Sequence, residues 1–501
     1  MIQRSFATSR RQSSYAEYRS EKTMKNEALE YIAQVYEDNM WIRAKYKKAL
    51  EDIVEKKGLS REEVKKIIDE NIARLDGEKA FFAKHLPLIA KETAYYAPEE
   101  LIYPVRKPVR LRIGSRYKHQ RLSGEFRVVV SPYYDYPYHP AEGYTPFSAV
   151  VRAENRVIEL DCEFDHEDRY NISVFYILDG QEILMLETCV YALEDDLACK
   201  QFYKADFHMH TTYSDGIEEP ELVAASARER GMDIIAVTDH NNFEGSVVAK
   251  QRAKELGLEL TVILGEEYAF SFSPMHILAL GTEKPIDRTF LSAALAKTET
   301  VRKIIREAED VGCNVESYAY TQAVLDEVKR MGGISILAHP YWKPVYADGS
   351  RKDTPEQLFA ALGRDKRFDG VELVSGSPYG EWNVANLQTS LVREMLGDFS
   401  GVPLIGITDS HRYTTDGICG KHFTIVAADS REDKDVIRAL KEGSCVAVET
   451  VNGVPFCYGK HRLVKLADFL VRYYFPEREE DARAQARLVK KKYLMKQREE
   501  I

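Results

Sequence analysis

The chain has no apolar run long enough to span a bilayer, which takes about 18 residues or more, so no membrane association is expected. It has no C-x-x-C pair among its seven cysteines, Cys162, Cys189, Cys199, Cys313, Cys419, Cys445 and Cys457. An odd number at such spacings argues against a disulfide framework and for reduced thiols in a cytoplasmic protein. It has no basic excess, with 70 Lys+Arg against 80 Asp+Glu over 501 residues. Nucleic-acid binders usually carry a basic stripe. A nucleic-acid partner is therefore not expected, although net charge says nothing of a local groove of Lys and Arg. Internal repeats and low-complexity linkers are also missing.

What is present falls into five stretches. Residues 1–21 are rich in Arg and Ser, with Glu17 the first acidic residue. They read as a disordered polar start with the composition of a targeting segment. Residues 22–99 carry apolar positions at helical spacing. Within them Ser60 and Glu63 form a capping box, each side chain reaching the other's backbone N–H. Residues 100–203 change to short runs of Val, Ile, Tyr and Phe between turn residues, the pattern of a small all-β, sandwich-like domain. Asp179-Gly180 marks a hairpin turn. The Tyr- and Pro-rich loop 131–147 packs against a neighbouring domain or forms a binding surface. From 204 to 460, apolar strands alternate with amphipathic helices, which argues for a parallel sheet. Seven such strands suggest a barrel. The tail, 461–501, reads as helix, and the Lys and Glu crowding its last half read as a solvated face.

The strands of the fourth stretch end in a common way. KADF runs into His208 and His210, IIAVT into Asp239 and His240, TVILG into Glu266 and Glu267, SILA into His339, and LIGIT into Asp409 and His411. In a parallel barrel these ends share one rim, where active sites of such barrels lie. Residues i and i+2 of a strand face the same way, so His208 with His210, and Asp409 with His411, can each bind one ion together. His276 is the exception, standing at the start of MHILALG. Six of the twelve histidines, with Asp215, Glu267 and Asp409, offer nine donors. A structural zinc site uses about four, so nine imply two or three ions with bridging carboxylates. An isolated H-x-H or a lone His has an ordinary structural explanation. Repetition at successive strand ends does not.

The motifs FHMHTTYSDG (207–216), VTDHN (237–241), GEE (265–267), MHILALG (275–281), AHP (338–340) and GITDSH (406–411) resemble, in order, those of the PHP family, the polymerase-and-histidinol-phosphatase superfamily of metal-dependent phosphoesterases. The resemblance implies a distorted (β/α)7 TIM-like barrel, here behind a β-sandwich-like extension and a helical segment. It implies His208, His210, Asp215, His240, Glu267, His276, His339, Asp409 and His411 as ligands of two or three divalent ions. The family's G-x-E pattern selects Glu267, with Glu266 as the alternative. Asp215 stands where some members carry histidine, so it either binds metal through oxygen or supports a neighbouring ligand. Mixed imidazole and carboxylate donors suit Zn, Mn or Fe. The implied reaction is hydrolysis of a small-molecule phosphate mono- or diester by metal-activated water. Asp239 is expected as a supporting group, Arg412 and then Lys343 as phosphate-binding cations, and Glu372 as a substrate contact or the anchor of a ligand histidine. Hydrolysis of a non-phosphate ester or amide, and a non-catalytic metal-binding scaffold, are the alternatives.

Overall fold

A computed structural model describes residues 23–33, 44–70, 95–116, 122–133, 147–154, 156–269, 273, 275–286, 299–307, 311–341, 355–375, 384–397 and 401–499. The Arg-rich start, Lys343 and most of the Tyr-rich loop lie outside these residues. The capping box forms: Ser60 N–H donates to Glu63 Oε2 at 2.8 Å, Glu63 N–H donates to Ser60 Oγ at 3.3 Å, and helix 61–70 follows.

Eight strands follow: β1 Tyr96–Pro98, β2 Ile102–Pro104, β3 Val109–Ser115, β4 Gly124–Pro132, β5 Phe147–Ala153, β6 Val157–Cys162, β7 Asp168–Leu178 and β8 Gln181–Leu193. They make one sheet of order β1-β3-β6 and another of order β2-β8-β7-β4-β5. Period-2 alternation turns Phe126, Ile172 and Val190 of the second sheet and Tyr96, Leu111 and Ile158 of the first into a single core. Asp179 and Gly180 turn the β7–β8 hairpin at φ 49° and 78°, the left-handed conformation a two-residue hairpin loop requires.

Beyond these lie β9 Gln201–Asp206, β10 Ile234–Ile235, β11 Thr261–Val262, β12 Gly265–Tyr268, β13 Ile277–Leu280, β14 Ile334–Leu337, β15 Gly370–Val374, β16 Leu404–Gly406, β17 His422–Ala428, β18 Cys445–Val451 and β19 Val454–Tyr458. They form two sheets, β11-β10-β9-β17-β18-β19 and β12-β13-β14-β15-β16. An apolar interior of Phe207, Ile234, Leu278, Ile336, Ile405 and Val426 joins strands of both. At the rim two single-residue bridges connect the sheets, Met209 with Ser410 and His240 with Glu267.

The arrangement corrects the expectation of an all-parallel barrel. β13 runs antiparallel to both β12 and β14, and β17, β18 and β19 are antiparallel additions. The reversal of β13 explains why His276 precedes its apolar run: the start of an antiparallel strand lies at the same rim as the ends of its parallel neighbours.

The tail is more than a solvated face. Helix His461–Phe469 passes through a π-helical turn, Leu470–Tyr474, into helix Phe475–Glu499. The last helix lies against helix Pro220–Glu229. Ala482 and Ala486 are buried, and Lys204 Nζ meets Glu479 Oε1 at 2.7 Å in a nearly enclosed ion pair. Among the described residues no helix is long and apolar enough to cross a membrane.

Candidate metal centre

The nine expected donors converge at the rim. Strand alternation aims His208 and His210 the same way, and their Nε2 atoms lie 3.1 Å apart. Glu267, fully buried, sits at the middle. Its Oε2 is 3.1 Å from His208, 3.3 Å from His210 and 3.0 Å from His240, and its Oε1 is 2.9 Å from His276 and 3.0 Å from His339. Asp409 Oδ1 lies 3.1 Å from His210 Nε2 and 3.3 Å from His208 Nε2. Asp215 Oδ2 lies 3.2 Å from His411 Nε2. Three groups have donor atoms mutually within 4.8 Å: His210 with Asp215, His240 and His411; His208 with His210 and Asp409; His240 with Glu267 and His276.

Asp409 and His411, expected to share an ion, fall in different groups. Asp409 has φ 50°, which breaks the alternation that would have aligned them. Asn241 (φ 50°) and His339 (φ 28°) are also left-handed at this rim. Non-glycine residues hold that conformation at a cost of about 1–3 kcal/mol, and such strain gathers at functional sites. Glu266 faces away and accepts the Ile286 N–H at 2.7 Å, so Glu267 is the carboxylate turned to the histidines.

The donor set fits metal ions better than protons. Burial opposes charge on the imidazoles, yet Asp409 and Glu267 outweigh it. They raise His210 to about 9 and hold His208 well above its ordinary value. Burial likewise pushes Asp409 up, but His208 and His210 hold it at about 2. The carboxylates thus demand positive charge nearby. If both Nε2 atoms of His208 and His210 carried hydrogens, these would point at each other across 3.1 Å. His240 Nδ1 and Glu267 Oε2, both buried and 3.0 Å apart, lack hydrogen-bond geometry. Lone pairs that converge without hydrogens between them are what a divalent ion binds.

Other expected groups support rather than react. Glu372, fully buried in the middle of β15, accepts from His208 Nδ1 at 2.7 Å and from the His339 N–H at 2.7 Å. It lies beneath two donors and does not reach solvent, the position of an anchor for a ligand histidine and not of a substrate contact. Asp239, expected as a supporting group, accepts from Thr211 N–H and Oγ1 at 2.7 and 2.6 Å and from Ser214 Oγ at 2.7 Å. It thereby fixes the turn between His210 and Asp215. Arg412 is exposed, and its backbone N–H donates to Ser410 Oγ at 3.2 Å. Sequence reasoning missed two ties. Asp206 accepts from Thr408 N–H and Oγ1 at 3.1 and 2.7 Å, locking β9 to the end of β16. Glu218 accepts the Thr414 N–H at 3.2 Å and joins the two ligand loops. Asp206 stands two residues before His208, and that proximity was the one available signal.

The chain is similar in sequence to known proteins. The PHP domain family matches residues 206–388. An uncharacterized protein of Methanocaldococcus jannaschii is 30% identical over 181 residues, 34% of this chain and 80% of that relative. A 5'-3' exoribonuclease of Haemophilus influenzae is 30% identical over 165 residues, 32% of this chain and 58% of the enzyme. A phosphoribosyl 1,2-cyclic phosphate 1,2-diphosphodiesterase of Eggerthella lenta is 36% identical over 83 residues, 16% of this chain and 31% of the enzyme. The chain thus spans less than two thirds of the length of either enzyme. Among solved structures, a two-domain Bacteroides vulgatus protein described as containing a predicted PHP-like metal-dependent phosphoesterase aligns over 50% of this chain and 66% of its own, at 20% identity and a TM-score of 0.33. From the motif order, the converging donors and the sequence matches, the chain belongs to the PHP family of metal-dependent phosphoesterases.

Proposed function

We propose that the protein hydrolyses phosphate esters using two or three divalent ions, Zn, Mn or Fe, held by His208, His210, Asp215, His240, Glu267, His276, His339, Asp409 and His411. The observation that carries this reading is the convergence of five histidines on the one buried carboxylate of Glu267. The three donor groups favour three ions over two. When bound, such ions lower the pKa of a water molecule and neutralise charge on phosphoryl oxygens.

The chain's own residues do the rest. His208 and Glu267 are closed off from solvent, whereas Asp215 is 54% exposed and His240 and His411 are 28% and 27% exposed. Substrate and water therefore enter on the Asp215 side. Arg412, next to His411, is placed to bind a phosphate oxygen there. Glu372 holds the His208 ring, and Asp239 holds the turn bearing Asp215. The metallohydrolase unit spans 204–460. Residues 100–203 form a sandwich-like unit that buttresses it, and 461–501 form a helical tail.

The names of the two enzyme relatives point to RNA and to a cyclic phosphate diester, which favours a diester over a monoester. The expectation of a small-molecule substrate remains, but its argument against nucleic acid was a whole-chain charge of -10, which does not describe the rim. The test is a panel of phosphate mono- and diesters with metal-loaded protein. Turnover should occur and be lost in His208→Ala. Absence of turnover across the panel would contradict the proposal, and turnover of acyl or carbamoyl esters alone would select the other ester chemistry.

A further inference from the structure

We propose that a cavity at the end of the catalytic sheets opposite the metal centre binds a phosphate dianion between the guanidinium groups of Arg431 and Arg478. The inference stands apart from the phosphoesterase reading, because none of the nine donors takes part in it.

The register places the cavity. β17 runs antiparallel to β9 with its last residue, Ala428, opposite the first residue of β9, Gln201. Arg431 follows β17 and so lies beyond the start of β9, whereas His208 lies beyond its end. Gln201 and Tyr203 line the cavity, as do Asp233, just ahead of β10, and Arg478 of the last helix. From Tyr203 to His208 the chain rises roughly 17 Å, so the cavity is separate from the rim. Its volume is about 720 Å³. Small-molecule sites occupy roughly 300–1,000 Å³.

Its charges leave two cations over. Of the five carboxylates in the wall, four already meet a cation. Asp233 and Glu259 lie 2.8 and 3.9 Å from the Arg228 guanidinium, Arg116 holds Glu477 at 2.5 Å, and Lys204 holds Glu479 at 2.7 Å. Glu432, exposed, is the fifth. Among the described residues neither Arg431 nor Arg478 has a carboxylate within 4.0 Å. Arg478 donates one N–H to the Tyr474 hydroxyl, a neutral partner. Both guanidiniums nevertheless act on one group. Burial pushes the Tyr203 hydroxyl up, and Arg431 and Arg478 pull it down.

Two like charges brought to one hydroxyl repel each other, and an anion between them removes that cost. The guanidinium fork matches phosphate oxygens in bidentate geometry. A phosphate monoester carries a charge of about −1.5 to −2 at pH 7, which two guanidiniums balance and a single carboxylate does not. The two arginines come from distant parts of the chain, the loop after β17 and the last helix. A phosphate between them therefore also ties the tail to the pair of strands that leads to the donors.

The test is calorimetric titration of the full chain, metal-loaded, with two probes: inorganic phosphate, and phenylphosphonate, whose P–C bond is not an ester. Each should bind the wild type at two classes of site, the metal centre and the cavity. Both arginines are exposed, so neither substitution disturbs a core. Arg431→Gln and Arg478→Gln should each weaken the cavity class about tenfold or more, the worth of a hydrogen bond between charged groups, and leave the metal-centre class unchanged. Arg478→Lys should lose less, because it keeps the charge and gives up only the fork. In the cavity class, tighter binding of phenylphosphonate than of phosphate identifies a phosphate monoester as the ligand, and the reverse identifies free phosphate. Binding unchanged in both Gln variants, whether in one class or two, would overturn the inference and leave the phosphoesterase reading intact. A single class that both variants abolish would support the cavity and count against the metal centre as a phosphate site.

Discussion

At the scale of the residue, the centre is organised by charge. Glu267 gathers five histidines. Glu372 is the clearest supporting group. Removing a carboxylate that orients a ligand histidine costs 10–100-fold in metal affinity or activity in comparable sites. Glu372→Ala should show a loss of that size in a metal titration. It should also destabilise the fold by about 1–3 kcal/mol, because the buried His339 N–H loses its acceptor. Metal affinity unchanged in this variant would contradict the assigned role. The raised imidazoles give a pH dependence with a definite sign. Without metal, His210 keeps its proton up to about 9. Its contribution to the stability of the metal-free protein is therefore complete below the ordinary value of 6.5 and is lost as pH rises through about 9. A histidine must be neutral to bind metal, so ion binding at pH 7 should release protons, and affinity should fall as pH falls. Calorimetry in buffers of different ionisation enthalpy measures this, and zero proton release at pH 7 would count against His210 as a ligand.

At the scale of the element, most donors were legible because each follows an apolar strand at once, and period-2 alternation tells which neighbours point together. The reversal of β13 was not legible. A short buried run such as ILAL carries no signal of direction, and only the misplaced His276 hinted at it. The split of Asp409 from His411 was also hidden, because a left-handed Asp leaves no mark in composition. Glu372 and Asp239 were visible as acids near strand ends, but which way each points depends on partners 164 and 28 residues away in sequence, His208 and Thr211. The turn at Gly216 shows how tightly the ligand loop is built. A Cβ there would lie 2.5 Å from the His210 carbonyl carbon and 2.6 Å from the Thr211 nitrogen. Gly216→Ala must therefore move backbone beside a donor. Misplacement by about 1 Å can cost on the order of 10²-fold in rate. The variant should lose activity on that scale, and retained full activity would show that the loop yields elsewhere.

At the scale of the whole molecule, the catalytic sheets are braced from outside. The face of β8 bearing Cys189, Tyr191 and Leu193 joins the core beneath the tail, where Tyr191 and Phe469 rings stand 5.3 Å apart. Arg462 binds both Glu167 and Asp196, joining the β-strand region to the tail. The Lys204–Glu479 pair fastens the last helix to β9, the strand that delivers His208 and His210. Breaking a buried pair leaves an uncompensated charge and costs about 3–5 kcal/mol. Glu479→Ala should lower the melting temperature of the catalytic part itself, and an unchanged melting curve would show that the tail is not integral to it.

The central claim is that the converging donors hold metal and that the metal makes the phosphoesterase. It is tested most directly by returning Mn²⁺ stepwise to chelated protein while hydrolysis of a phosphodiester is followed. The account predicts no hydrolysis without metal and activity that rises to a plateau at two or three equivalents per chain. Full activity in the chelated protein, or bound ions without any hydrolysis, would contradict it.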